Sequence, residues 1–140
     1  MTILLFILSV LFIFASTWLF EGKQDYYMIK DSKGNQAKWK LFGNLYAGSF
    51  IAVVSVLVSL LNDQPIMALL LFPILMIVWS IAHDCSVGYY LTGKIFHLGS
   101  TGWDAKIKKI FQSGRGWFLA KGVWLTIAIG SFFSLSRNKK

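Results

Sequence analysis

Long apolar blocks and short polar blocks alternate along this chain. Three blocks contain no charged residue, Thr2–Phe20, Leu45–Leu61 and Pro65–Ala82, and a fourth, Gly116–Leu135, contains a single lysine. A helix needs roughly 20 apolar residues to cross the hydrocarbon core of a bilayer. The pattern therefore predicts four transmembrane helices, of which the third continues as a helix to about Tyr90.

The composition agrees with a membrane location. Hydrophobic residues make up 56% of the chain, charged residues make up 14%, and the mean hydropathy is +0.60, whereas about a quarter of the residues in a soluble domain are charged. We expect a single all-α integral membrane domain over residues 1–140. Lys121 lies near the start of the fourth block, where its side chain is expected to extend to the lipid headgroups.

The first block resembles a secretion signal only in its position. No basic residue precedes it, its apolar part is longer than the roughly 7 to 15 residues of such signals, and no A-x-A cleavage site follows it. We therefore interpret it as a retained membrane anchor.

The basic residues predict an orientation. Five lysines follow the first block, and four lysines and one arginine follow the third, whereas the Asn62–Pro65 segment contains no basic residue. The positive-inside rule then places both basic segments in the cytoplasm and both termini outside. Arg137, Lys139 and Lys140 in the tail oppose this orientation, but the two basic segments outnumber them.

The stretch STGWDAKIKKIFQSG predicts a short amphipathic helix over residues 102–112. Thr101 is a candidate N-cap with Asp104 three residues later, and Gly114 is expected to end the helix. We expect this helix to lie in the membrane interface, with its lysines near anionic lipid headgroups. Positioning the preceding loop at the membrane surface is the favoured role of this helix, and sensing of a lipid or a partner is the alternative. The apolar residues that share one face are Trp103, Ile107, Ile110 and Phe111.

Several ionisable residues are predicted to meet at the cytoplasmic ends of the helices. Glu21 and Asp25 follow the first block, and His83 and Asp84 follow the third. Together with His97 they form a predicted polar interface cluster. A structural network of salt bridges and hydrogen bonds is the favoured interpretation, and a proton or ion relay and a metal site are the alternatives.

The chain lacks the usual signatures of a cofactor site. No H-E-x-x-H or paired H-x-D spacing is present, and one cysteine, Cys85, allows neither an intrachain disulfide nor a cysteine-built metal site. We predict no cofactor, leave a metal open, and expect Cys85 to be a small buried or interfacial thiol. Membrane orientation explains the net charge of +8, and no nucleic-acid-binding module is recognisable, so nucleic acid is not a predicted partner.

The stretch between the third block and the short helix is a candidate site for an anion such as a lipid phosphate. Its glycine-bearing backbone leads into a helix N-terminus with lysines nearby. A capped turn explains the same residues without a ligand, and the spacing of a Walker loop is absent. The candidate anion- or lipid-binding residues are Lys94, Gly99, Ser100, Thr101, Lys106, Lys108 and Lys109.

Four features, taken in order, resemble a known family: FEGKQD after the first block, KWKLFGNLY before the second, an aspartate closing the third, and then GKIFHLGSTGWDAKIKKIF. This succession is similar to a family of small multi-spanning membrane proteins of uncharacterised function, found in Bacteroidetes-type bacteria and their phages and prophages. The resemblance is best over residues 84–111. It implies a multi-spanning helical fold in the inner membrane of a bacterium, and no mechanism. The matching positions are Asp84, Gly93, Gly99, Thr101 and Asp104.

Three classes of function follow from these features. The favoured class is a non-enzymatic structural or accessory membrane protein that self-associates or joins a larger membrane assembly. A holin-like pore former or small ion channel, with the polar cluster as a vestibule, is the first alternative. A metal-dependent enzyme at the membrane interface is the second. The thin polar stripe of Ser49, Ser55 and Ser59 suits helix packing better than a wide pore.

Overall fold

The computed structural model describes residues 2–31, 36–96 and 102–137, and its regular secondary structure within these ranges is helical throughout. The all-helical prediction is confirmed for this part of the chain. The elements in chain order are α1 (Thr2–Ser16), a π-helical turn (Thr17–Glu21), α2 (Gly22–Asp31), α3 (Gln36–Leu60), α4 (Met67–Thr92), α5 (Gly102–Phe111) and α6 (Gly114–Arg137).

The first helix does not end at the first acidic residue. The π-helical turn joins α1 directly to α2, and Gly22 at the junction has ordinary right-handed helical angles, φ −61° and ψ −35°. The helix therefore continues for about three turns beyond Phe20, where the apolar block ends. The apolar block ends before Glu21, and an isolated carboxylate is costly in lipid, but the Glu21 carboxylate has a partner inside the protein, the indole N–H of Trp79.

Helix α4 lies at the centre of the molecule. It packs against α1, the π-helical turn, α2, α3 and α6. Pro73 lies inside it without ending it, as is common in membrane helices. The helix ends at Gly93, which has a φ of +72° and donates its N–H to the carbonyl oxygen of Tyr89 at 2.8 Å. This left-handed glycine cap places the end two residues beyond the predicted Tyr90.

Within residues 2–31, 36–96 and 102–137, three helical stretches are long and apolar enough to cross a membrane: Ile3–Lys30, Met67–Thr92 and Gly114–Ser134. They correspond to the first, third and fourth predicted spans. The second predicted span, Leu45–Leu61, overlaps α3, which contains the shorter apolar helix Ala47–Leu60.

An apolar core joins α1, α3, α4 and α6 on one side of the molecule. Phe6 and Phe132 stack in it with ring centroids 5.2 Å apart. Ser55 and Ser59 of α3 are buried, and the hydroxyl of Ser55 donates to the carbonyl oxygen of Ile51 at 2.8 Å. Ser49 is exposed, so only two of the three serines expected to pack are buried. The core residues are Phe6, Ile13, Ile51, Met67, Leu71, Ile74, Leu75, Val78 and Phe132.

The predicted short helix is present as α5, one residue shorter than expected. Gly114 was expected to end it, and this is wrong, because Gly114 is the first residue of α6. The chain turns instead at Gln112, whose φ is +55°, and the Ser113 N–H donates to the carbonyl oxygen of Phe111 at 2.6 Å. The junction is tight: a Cβ at Gly116 would lie 2.9 Å from the carbonyl oxygen of Phe111.

Candidate functional site

A polar layer crosses the molecule next to the apolar core. At about 1.5 Å per residue, Glu21 lies roughly 28 Å from the start of α1, and His83 lies roughly 24 Å from the start of α4. Lys121 lies roughly 24 Å from the end of α6. These similar distances bring the members of the layer to one level. A hydrocarbon core is about 30 Å thick, so the layer lies within the candidate spans and close to one edge. Its residues are Glu21, Asp25, Trp79, Ser80, His83, Asp84, Trp117 and Lys121.

His83 links α2 to α4. Its Nε2 lies 2.9 Å from Oδ2 of Asp25, and its Nδ1 lies 3.6 Å from Oδ1 of Asp84. The contact with Asp25 is within hydrogen-bond distance, whereas the contact with Asp84 is longer than a hydrogen bond. The Trp79 ring packs against the imidazole with centroids 5.5 Å apart.

Lys121 links α6 to α4. Its ammonium group lies 2.6 Å from Oδ2 of Asp84, 2.7 Å from the Ser80 hydroxyl and 3.2 Å from the Ser80 carbonyl oxygen. These three acceptors match the three donors of an ammonium group. The ammonium also lies 4.8 Å from the centroid of the Trp117 ring, within the range of a cation–π contact.

Lys121 is only 7% exposed. The expected extension of its side chain to the lipid headgroups is therefore wrong. The physical reason is that a carboxylate on a neighbouring helix is within reach, so the ammonium gains a charged partner and hydrogen bonds without leaving the protein.

Two indole groups complete the layer. The Trp79 N–H donates to Oε2 of Glu21 at 2.5 Å, and the Trp117 N–H donates to Oδ2 of Asp84 at 3.2 Å. An indole N–H can only donate a hydrogen bond, so the carboxylates of Glu21 and Asp84 are the acceptors in these two contacts. Each ring also contacts a cationic or ionisable group of the layer, His83 for Trp79 and Lys121 for Trp117.

Small residues let α2 and α4 approach closely at this level. Gly22 and Ser86 are buried against each other, and a Cβ at Gly22 would overlap both the hydroxyl and the Cβ of Ser86. Small residues at a crossing are typical of helix packing in membranes. Because α2 starts at this crossing, Asp25 lies within hydrogen-bond distance of His83.

The structure brings together four of the five residues in the predicted polar cluster. His97 lies outside the described residues. Adjacent residues on a helix point about 100° apart. His83 therefore contacts Asp25 on α2, while Asp84 contacts Lys121 on α6. The helix continues to Thr92, so the pair lies within the helix rather than at its end.

Sequence reasoning missed Trp79, Ser80 and Trp117, although the spacing contains a signal for them. Trp79 precedes His83 by four residues, Ser80 precedes Asp84 by four, and Trp117 precedes Lys121 by four. Residues four apart lie on the same face of a helix. A search for polar or indole groups four residues from each isolated charge would have found all three.

The predicted anion site is described only in part. Lys94, Lys106, Lys108 and Lys109 are exposed. The backbone N–H of Lys94 donates to the Thr92 hydroxyl at 3.3 Å. Gly99, Ser100 and Thr101 lie outside the described residues. The structure therefore places the lysines at the surface and leaves their anion-binding role a prediction.

No group of three or more His, Cys, Asp or Glu side chains within residues 2–31, 36–96 and 102–137 is arranged to hold a metal ion. Cys85 is buried. In the polar layer His83 and Lys121 alternate with the carboxylates of Asp25 and Asp84. This alternation gives each carboxylate a nitrogen partner and ties α2, α4 and α6 together at one level.

Comparison of the chain with protein-family models, with curated proteins and with solved structures finds no match.

Proposed function

We propose that this chain is a non-enzymatic integral membrane protein with a structural or accessory role, in which the polar layer fixes the packing of the helices. The same proposal includes a bacterial inner-membrane location, association with further copies of itself, and the resemblance to the family of small multi-spanning membrane proteins. A partner membrane protein in place of a second copy is the alternative assembly.

One observation carries the proposal. The charged groups at the centre of the layer bind each other, since Asp25 bonds His83, Asp84 bonds Lys121, and both Ser80 oxygens bond the same ammonium. A vestibule for ions would need charged groups directed at a water-filled opening. An active site would need a group positioned to reach substrate. Side chains that bond one another between helices instead stabilise the helix arrangement.

The four-span topology is part of this proposal. Helix α3 is 25 residues long, or roughly 37 Å at about 1.5 Å per residue, which is enough to cross a hydrocarbon core of about 30 Å. It runs antiparallel to α4 through the short turn after Leu60 and packs against it. With four crossings, the two basic segments face the cytoplasm and both termini lie outside.

Helix α5 is proposed to lie in the cytoplasmic interface. Lys106, Lys108 and Lys109 are exposed, and the Phe111 ring packs 5.2 Å from the ring of Trp117. This contact connects α5 to the start of α6 at the level where lipid headgroups are expected. A short helix of this kind positions its lysines near anionic lipid.

Reconstitution tests the proposal against the pore alternative. Purified full-length protein is placed in liposomes that contain a self-quenched dye, and dye release and single-channel conductance are measured for the wild type and for Asp84→Asn. We expect release equal to that of protein-free liposomes in both cases, because the charged groups are used within the protein. Strong leakage by the wild type that Asp84→Asn abolishes would show that the polar layer is a conduction path and would overturn the structural role.

A further inference from the structure

Helix α6 carries an open groove on its exposed side. The groove has a volume of about 690 Å³, within the range of about 300 to 1,000 Å³ of ligand pockets. Phe118, Leu119, Gly122 and Ile127 line it along the helix, Phe96 forms a side wall, and Arg115 lies at one end. It does not involve the polar layer, because Lys121 is directed to α4.

The groove has the length of one lipid leaflet. Arg115 and Ile127 are twelve residues apart in one α-helix, or roughly 18 Å at about 1.5 Å per residue. Half of a hydrocarbon core of about 30 Å is about 15 Å. The groove therefore reaches from the headgroup level to about the middle of the bilayer.

Charge distinguishes the two ends of the groove. Arg115 is exposed and takes part in none of the ion pairs among the described residues, while Leu119 and Ile127 are exposed apolar side chains. Lys94 and the lysines of α5 are exposed on nearby segments. Arginine binds phosphate through two parallel hydrogen bonds, and basic pockets at the cytoplasmic ends of membrane helices bind anionic lipid headgroups.

The floor of the groove is open because of a glycine. A Cβ added at Gly122 meets no atom within 4 Å, so no helix contact requires a glycine there. The side wall is formed where the rings of Phe96 and Phe118 meet edge to face with centroids 5.2 Å apart. A leucine at Gly122 would therefore fill space in the groove without displacing a neighbouring helix.

We infer that the α6 groove binds one anionic glycerophospholipid, with an acyl chain along Leu119, Gly122 and Ile127 and its phosphate on Arg115. A helix from a second copy would leave Arg115 without a carboxylate partner on the surfaces described. Of the four carboxylates whose side chains the structure describes, three belong to the polar layer and Asp63 lies at the other end of the molecule.

Native mass spectrometry of the full-length protein measures the binding. The protein in neutral detergent is titrated with dioleoylphosphatidylglycerol or with dioleoylphosphatidylcholine, and the fraction that retains one lipid is compared. We expect phosphatidylglycerol to bind about tenfold more tightly, because its headgroup bonds a charged guanidinium without a competing cationic group. We expect Arg115→Gln to remove this preference, and Gly122→Leu to reduce retention of both lipids.

Gly130→Leu is the matched control. Gly130 lies eight residues further along the same helix, has the same open space around an added Cβ, and does not line the groove. We expect it to retain lipid like the wild type. Equal loss in Gly122→Leu and Gly130→Leu, or wild-type retention in Gly122→Leu, would overturn the groove site.

Two further measurements test the nature of the occupant. Excess inorganic phosphate should leave the bound phosphatidylglycerol in place, since the acyl chain holds it in the groove; displacement by phosphate alone would mean a simple anion site and would overturn the lipid assignment. The proportion of dimer should be the same in wild type and Gly122→Leu. Its loss in the variant would assign the groove to a second copy instead.

Discussion

The apolar core and the polar layer lie next to each other along α4, yet different forces hold them together. Val78 is the last core residue on this helix and Trp79 is the first residue of the layer. The core joins the helices through aliphatic and phenyl side chains, whereas the layer joins them through carboxylates, an imidazole, an ammonium and indoles.

The bilayer makes this difference important. Lipid tails are as apolar as leucine, so the hydrophobic effect does little to associate helices inside a membrane. The core must therefore rely on close packing and dispersion. An ion pair is strengthened by the low dielectric constant of the same environment, and a charge without a partner becomes correspondingly costly. The two regions should consequently respond differently to the loss of one side chain.

The largest effect is expected when the ion pair in the layer is broken from one side. Lys121→Met removes the ammonium group, so the indole N–H of Trp117 is the one donor on α6 that still bonds Asp84. Breaking a buried pair costs about 3 to 5 kcal/mol, and the Asp84 side chain is 29% exposed, so we expect a loss of about 3 kcal/mol. The free energy of unfolding is measured by detergent titration followed by far-UV circular dichroism.

A second variant separates charge from packing. Lys121→Met combined with Asp84→Asn leaves no uncompensated charge, so we expect it to regain about half of the lost stability. If the double variant is less stable than Lys121→Met alone, the side chains contribute through packing and hydrogen bonds rather than through their charges, and the contrast between layer and core is wrong.

A smaller effect is expected in the apolar core. Leu75 is fully buried, and Leu75→Ala leaves a cavity among the helices. Leucine-to-alanine changes cost about 2 to 5 kcal/mol in soluble cores, and part of that cost disappears when the unfolded side chain lies in lipid. We expect about 2 kcal/mol, measured by the same titration.

Leu69→Ala is the control for this substitution. Leu69 lies on the same helix and is 75% exposed, so in a membrane its side chain meets lipid and leaves no cavity among the helices. We expect a loss of less than about 0.5 kcal/mol. A cost at Leu75 above that of Lys121→Met would reverse the ranking of the two regions.

The sequence predicts the apolar half of the molecule better than the polar half. Three apolar blocks coincide with helices of membrane length because hydropathy is a property of each stretch by itself. The continuation of the first helix past Glu21 and the burial of Lys121 depend on partners from other helices, Trp79 and Asp84. A pattern along one chain does not show such partners, and the rule that charges leave the bilayer then gives the wrong answer.

The sequence predicted four of the eight residues of the polar layer, and it did not predict how far inside the spans the layer lies. Consecutive spans cross the membrane in opposite directions, so the first and third spans end at the same surface. This alternation alone was enough to group Glu21, Asp25, His83 and Asp84. Their position within the spans needed α4 to continue to Thr92 and α2 to follow the π-helical turn. Gly22 also gave no signal in the sequence, because the space it provides exists only at the crossing with Ser86.

The smallest effect is expected at that crossing. Gly22→Ala places a Cβ against the hydroxyl and Cβ of Ser86; overpacking of this kind costs about 1 to 3 kcal/mol, and the better helix propensity of alanine returns up to about 1 kcal/mol. We expect a net loss of about 1 kcal/mol. In the C-terminal half of α6, Gly130→Ala meets open space and should be neutral or stabilising. Equal unfolding free energies for the two variants would mean that α2 can move away from α4 without cost, and that the polar layer does not need this close approach.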